Sequence, residues 1–374
     1  MSEKGILEFK ALRSVESCLF HRCCLTLERH FGLNFEKIQK IKGSKVETVF
    51  YQSEDLNSTL MFKYHIASKA ITIEIDSPTF LKTMSFEDMQ DLAKLIQMEH
   101  EQDLGFPNQS DSWQQLPILQ LGQSFNQYLT TSDGRVIQYG FKSRVFHDQS
   151  KYQTIDIYDT EDHGKILLLD GVVNLAENDT KAYTEILLGL PKNEEQFNQK
   201  RVLILGGGDG GLLKSLLTLT HPPSQIDMVE IDEKVMTACS THIPSICEPY
   251  LSQRSGPNFN VITGDCFRYL EVAQGSGTKF DAIICDLTDI PLTENGTTHP
   301  HFELSQRALQ ESRTLLDQGG KYLTHCNGIN VPSSVGNFKT MLKSIVKDRA
   351  QIIMRSSFVP SFHEVWTFFE LEMK

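Results

Sequence analysis

From residue 200 onward the chain alternates short apolar runs with amphipathic ones, and this alternation restricts the fold more than any other feature. RVLILG, IDMVEID, NFNVITGD and KFDAIICDL are aliphatic and too short for buried helices, so they read as strands. LLKSLLTL and DEKVMTACSTHIP lie between them with a helical apolar period, and GGKYLTHC and VWTFFELEM supply later strands. Apolar strands separated by helices imply a parallel, doubly wound sheet covered on both faces. The expected class is α/β, Rossmann-like.

In such a sheet, ligands bind beyond the carboxyl ends of the strands, near the point where strand order reverses. The first strand runs into Gly206, Gly207, Gly208, Asp209, Gly210 and Gly211. The second ends at Glu230, the third at Asp265 and Cys266, and the fourth at Asp286. Any one of these acids has an ordinary explanation as a cap for the next helix. Acids at all of these strand ends point to a ligand. Gly206, Gly208 and Gly211, with Glu230 further on, also fit a dinucleotide fingerprint in which the acid accepts from ribose hydroxyls. Asp209 argues against a pyrophosphate, because like charges in contact cost about 4 kcal/mol at an effective dielectric of about 20. A nucleoside with positive charge and no phosphate reverses the sign of that term. S-adenosylmethionine or its decarboxylated relative meets this description. Asp265 is then expected near the adenine amine, with Cys266 packed beside it. Asp209 and Asp286 flank the other end, and two acids there point to amines on the transferred group, its acceptor, or both.

The remainder of the chain narrows the function classes. A formal net charge of −12 over 374 residues disfavours nucleic acid as a partner. No apolar run approaches the roughly 18 residues of a membrane span, and MSEKGILEFKALRS lacks a signal-peptide core, so a cytoplasmic protein is expected. The eight cysteines form no CxxC, and the histidines form no HExxH, so free thiols and no metal site are expected. Residues 1–118 read as an α+β domain, with helices over 14–32 and 84–105, the second opened by a Ser85-x-x-Asp88 cap. KVETVFYQ and STLMFKYHIASKAITIEID supply its strands, and FPNQSDSWQQLP (106–117) reads as a linker. Residues 119–178 read as a small antiparallel sheet turned at SDGR, DHGK and LDG. The helix TKAYTEILLGLP then leads into the main domain, 179–374.

YQTIDI, LLLDGVVNLAENDTKAYTEI, GGGDGG, VEID, GDC and DLTD follow one another in an order that resembles the polyamine aminopropyltransferases, the spermidine and spermine synthases. The resemblance runs from about residue 120 to the C-terminus. NLAEND and PSFHEVW are similar to the animal-type spermine synthases. Residues 1–118 also resemble the half of S-adenosylmethionine decarboxylase that those enzymes carry for dimerisation. The resemblance implies transfer of an aminopropyl group from decarboxylated S-adenosylmethionine, a co-substrate rather than a cofactor, to spermidine. The products would be spermine and methylthioadenosine, formed by a metal-free homodimer. Carried over by residue, Gln153 contacts the donor, Glu230 its ribose, and Asp265 with Cys266 its adenine side. Asp209 holds the amino end of donor or acceptor, Tyr183 packs beside the polyamine, Glu364 binds its distal ammonium, and Asp286 accepts the proton. Two departures lie along the substrate channel: Phe362 stands where those enzymes have Tyr, and Val172 where they have an acid. NDTKAY is also one residue longer than the related stretch. Putrescine as acceptor, a methyltransferase (opposed by Asp209) and a catalytically silent scaffold are the alternatives.

Overall fold

The computed structural model describes residues 2–12, 17–54, 57–67, 69–77, 81, 84, 86–105, 119–121, 127–190, 194–287 and 300–374. The expected linker at 106–117, the cap residue Ser85, and Thr288 and Asp289 of DLTD lie outside the described residues. The chain divides into two units, Met1–Asn126 and Gln127–Lys374.

The first unit contains β1 (Ser2–Ala11), α1 (Ser17–Phe31), β2 (Phe35–Lys42), β3 (Val46–Ser53), β4 (Thr59–His65), β5 (Ala70–Asp76), α2 (Phe86–Glu99), β6 (Leu104–Gly105) and β7 (Leu119–Leu121). Its antiparallel sheet has the order β2-β3-β4-β5-β1-β6, with β7 also on β1. Alternate strand residues such as Phe9, Leu60, Phe62 and Ile73 are buried in one core with Phe20, Leu27, Leu92 and Ile96 of the helices. Each such side chain contributes about 1.5–3 kcal/mol of transfer free energy. The sequence reading did not include β1 or β2. In β2 only Phe35 is buried and the rest is exposed, so this edge strand carries no apolar alternation to read. The helix expected over 84–105 ends at Glu99, because Leu104 pairs with Ala11 and is fully buried in the sheet's core.

The second unit opens with the hairpin β8 (Tyr128–Thr130) and β9 (Val136–Gln138), turned at SDGR. Next comes a four-stranded antiparallel sheet: β10 (Phe141–Gln149), β11 (Thr154–Thr160), β12 (Lys165–Leu169) and β13 (Val172–Ala176). It belongs to the same unit as the larger sheet, tied to it by Ser150 Oγ donating to Asp232 Oδ2 at 2.6 Å and Lys165 Nζ to the His242 carbonyl at 2.7 Å.

After α3 (Thr180–Leu188), the main sheet is built from β14 (Arg201–Gly206), β15 (Gln225–Glu230), β16 (Ser255–Gly256), β17 (Phe259–Thr263), β18 (Phe280–Asp286), β19 (Leu316–Gly328), β20 (Ala350–Val359) and β21 (Glu364–Met373). Its order is β16-β17-β15-β14-β18-β19-β21-β20. Helices α4 (Gly211–Leu217), α5 (Glu233–His242), α8 (Cys266–Gly275), α9 (Pro300–Ser312) and α10 (Pro332–Val346) connect its strands, and two one-turn helices, α6 (Pro244–Cys247) and α7 (Tyr250–Gln253), follow α5. The strands β17, β15, β14, β18 and β19 are parallel, as the alternation implies. At its edges the sheet departs from the parallel pattern. β21 runs antiparallel to β19 and β20, since only the short turn Pro360–Phe362 separates β20 from β21, far less than a parallel crossover needs. Strand order reverses at β14, which lies between β15 and β18 and brings their carboxyl ends together. Among the described residues, no helix is long and apolar enough to cross a membrane.

Candidate active site

Two glycines let three strand ends meet. Gly206 has φ +83°, and a Cβ there would fall 2.1 Å from the Asp286 carbonyl oxygen, so no other residue fits between β14 and β18. At Gly208 a Cβ would lie 2.8 Å from Glu230 Oε2. Beyond them opens a cleft lined by Gln153, Tyr183, Asp209, Glu230, Asp286 and Phe362, together with Tyr152, Asn174 and His325.

At one end of the cleft, Glu230 Oε1 accepts the Asp232 backbone N–H at 2.7 Å. Burial pushes the Glu230 carboxyl up to about 7, against the pull of that hydrogen bond. Asp232 caps α5 by accepting the Lys234 N–H at 3.1 Å, and its other oxygen accepts from Ser150 Oγ and from Gln153 Nε2, the latter at 3.1 Å. Asp232 therefore orients Gln153 toward the same end as Glu230. Sequence reasoning passed over Asp232, although it is the second acid of the VEID run.

At the other end, Tyr183 Oη donates to Asp286 Oδ1 at 2.8 Å. The Asp286 side chain is 14% exposed at the floor of the cleft. Burial pushes its carboxyl up to about 6, and the Tyr183 hydroxyl opposes the rise. Asp209 is likewise pushed up to about 6, by burial first and then by the neighbouring charge of Asp286. Its Oδ1 accepts the Gly211 N–H at 2.7 Å, which ties it to the loop that it interrupts. Phe362 packs edge-on against both Tyr183 and Trp366. Sequence reasoning also passed over His325 on β19, whose Nε2 lies 4.0 Å from Asp286 Oδ1. The strand pairing Cys285 with Thr324 sets these two side by side, a neighbourhood visible only once strand order is known.

The structure leaves three expected site residues, Glu364, Asp265 and Cys266, and the departure position Val172 outside this arrangement. The Glu364 carboxylate, 3% exposed, accepts the Ser132 N–H at 3.0 Å and the Ser132 hydroxyl at 2.5 Å, with Arg135 at 3.9 Å. It is engaged with the β8–β9 turn, outside the lining of the cleft, because this internal network satisfies a buried charge that would otherwise need a ligand. Asp265 caps α8, accepting the Phe267 N–H at 2.9 Å, and also stands outside the lining. Cys266 is buried in the core with Leu205 and Val229, where burial pushes its thiol up to about 12. Val172 is exposed at the turn that opens β13.

Comparison with known proteins bears on the whole of the second unit. The spermine/spermidine synthase domain model matches residues 180–374, and the spermidine synthase tetramerisation domain model matches residues 124–177. Similar proteins include spermidine synthase 2 of Arabidopsis thaliana, 33% identical over 203 residues, which are 54% of this chain and 57% of that protein. A polyamine aminopropyltransferase of Thermococcus kodakarensis is 37% identical over 158 residues, 42% of this chain and 53% of its own length. The chain thus spans little more than half the length of these relatives. In fold it is similar to a spermidine synthase crystallised with the transition-state analogue AdoDATO, with a TM-score of 0.53 at 21% identity over 68% of this chain and 82% of that one. It is similarly close to the spermidine synthase of Thermotoga maritima, with a TM-score of 0.52 at 22% identity over 68% of this chain and 81% of that one. The matched model covers more than half of the residues, over the strand ends that build the cleft, and the chain belongs to the spermine/spermidine synthase family.

Proposed function

We propose that this protein transfers the aminopropyl group of decarboxylated S-adenosylmethionine to a polyamine, and that the acceptor is spermidine. The observation that carries the reading is the pairing of Asp209 with Asp286, the latter held by Tyr183, in the same cleft as Glu230. Two acids raised to about 6 by burial, with the charge of Asp286 adding to the rise at Asp209, form a site whose electrostatics improve when a cation enters. Glu230 would accept the ribose hydroxyls and Gln153 would contact the donor beside it. Asp209 would hold an ammonium of donor or acceptor, and Tyr183 and Phe362 would flank the polyamine chain.

An alkylammonium has a pKa near 10 and must give up a proton before its nitrogen can attack. Asp286 would accept that proton. The nitrogen then bonds to the carbon next to sulfur while the carbon–sulfur pair leaves with methylthioadenosine. Alignment of nitrogen, carbon and sulfur would supply much of the rate. The reading includes a homodimer in which residues 1–118 supply the dimerising piece.

Support for spermidine as acceptor comes from NLAEND, PSFHEVW and the additional N-terminal unit. Putrescine is the second reading, favoured by the engagement of Glu364 with Ser132 and by the relatives named spermidine synthase. The test is to supply decarboxylated S-adenosylmethionine with each acceptor separately and resolve products by mass spectrometry. Spermine from spermidine alone upholds the first reading, and spermidine from putrescine replaces it with the second. No product from either overturns both.

A further inference from the structure

We infer that His325 is a second acceptor for the reacting nitrogen, forming with Asp286 a two-point cradle in which the amine is held and turned. This rests on the reading of the cleft as a polyamine site. His325 lines the cleft, is 5% exposed, and reaches it from β19, the strand beside that of Asp286. Its Nε2 and Asp286 Oδ1 are 4.0 Å apart. A nitrogen about 2.8 Å from each would form two hydrogen bonds about 90° apart, close to the spread of the three N–H bonds of an alkylammonium. Asp286 Oδ1 accepts one hydrogen bond from Tyr183 and, as a carboxylate oxygen, has a second lone pair for the amine. For Nε2 to accept, the imidazole must be neutral with its proton on Nδ1. Once Asp286 has taken one proton, the hydrogen bond to Nε2 retains the neutral amine and fixes where its lone pair points. Tyr183, whose ring centre is 6.1 Å from that of His325, closes the third side.

The cradle gives His325 a role separate from packing. His325→Phe keeps a ring and removes the acceptor, whereas His325→Gln places an amide oxygen that can accept from the same amine. Calorimetric titration of spermidine and putrescine into each 374-residue protein, with methylthioadenosine present, reads the cradle directly. His325→Phe is expected to weaken amine binding at least tenfold, His325→Gln to restore most of it, and methylthioadenosine affinity to stay within about twofold throughout. Amine affinity unchanged in His325→Phe overturns the inference. Loss in both variants together with loss of methylthioadenosine binding also overturns it, since that pattern marks a structural residue. The wild-type product assay keeps the two proposals apart: amine binding without transfer sinks the proposed function and leaves the cradle standing.

Discussion

The two ends of the cleft handle buried charge in opposite ways. At the Glu230 end, Asp232 accepts from a serine hydroxyl and an amide, while Glu230 accepts the Asp232 N–H and is pushed up to about 7 chiefly by burial. At the Asp286 end, Asp286 accepts from Tyr183 and Asp209 from backbone N–H groups of its own loop, and the charge of Asp286 still raises Asp209. The first end, where burial rather than a facing acid is the main cause of the rise at Glu230, is suited to neutral hydroxyl donors. The second is electrostatically incomplete until a cation arrives. A site divided in this way lets donor recognition and amine activation be perturbed separately, and that separation is testable.

The largest effect is expected at Asp286. Asp286→Asn keeps the shape and the Tyr183 hydrogen bond while removing the proposed proton acceptor, so kcat should fall about 100- to 10,000-fold. Donor KM should change little. Steady-state kinetics with varied donor check this, and an equal loss in donor affinity would break the division between the ends. Glu230→Gln should do the reverse. A hydrogen bond to a charged group is worth about 1.5–3 kcal/mol, so donor KM should rise about 10- to 100-fold with kcat within a few-fold of wild type.

The pH response sharpens the same contrast. Asp209 and Asp286 sit at about 6 in the free cleft against an ordinary value of 3.8. Between those values the folded protein holds protons that the unfolded chain has released. Their contribution to the stability of the free protein therefore falls as pH rises through that window. Binding of a polycation runs the other way, because only the carboxylates attract it. Polyamine affinity should drop about 10-fold from pH 7 to pH 5 if one acid must ionise and about 100-fold if both must, and thermal stabilisation by the amine should shrink with it. Affinity that is flat over this range would mean that the acids are already ionised without a ligand.

How much of this was legible in the sequence varied by region, for physical reasons. The strands β14, β15, β17 and β18 declare themselves through continuous apolar runs, and the acids at their ends follow from where such strands stop. Edge strands such as β2 and β20 bury little and leave no apolar period to read. Asp232 and His325 were missed because their significance depends on which neighbour lies beside them. Asp232 becomes informative only when Ser150 and Gln153 arrive from another sheet, and His325 only when β19 is placed beside β18. Asp265 shows the converse: an acid at the correct strand end whose carboxylate caps a helix.

Glu364 carries the smallest predicted functional effect and the most pointed comparison with Asp286. Both are buried acids near Phe362, yet one faces the cleft and the other is satisfied by Ser132 in the β8–β9 turn. Arg135 also donates to the His363 carbonyl, and Tyr139 to that of Ser361, so the turn holding Phe362 is fastened from several sides. Glu364→Ala would leave the Ser132 hydroxyl and N–H without their acceptor, at a cost of about 1–3 kcal/mol to stability. Both KM values should stay within about twofold, because no lining residue is lost. Denaturant unfolding and acceptor kinetics on the same preparation decide it. If stability is unchanged and acceptor KM rises tenfold, the carboxylate must leave Ser132 when the amine binds. Glu364 would then belong with Asp286 at the incomplete end, and the cleft would be one anchor longer than its free form reveals.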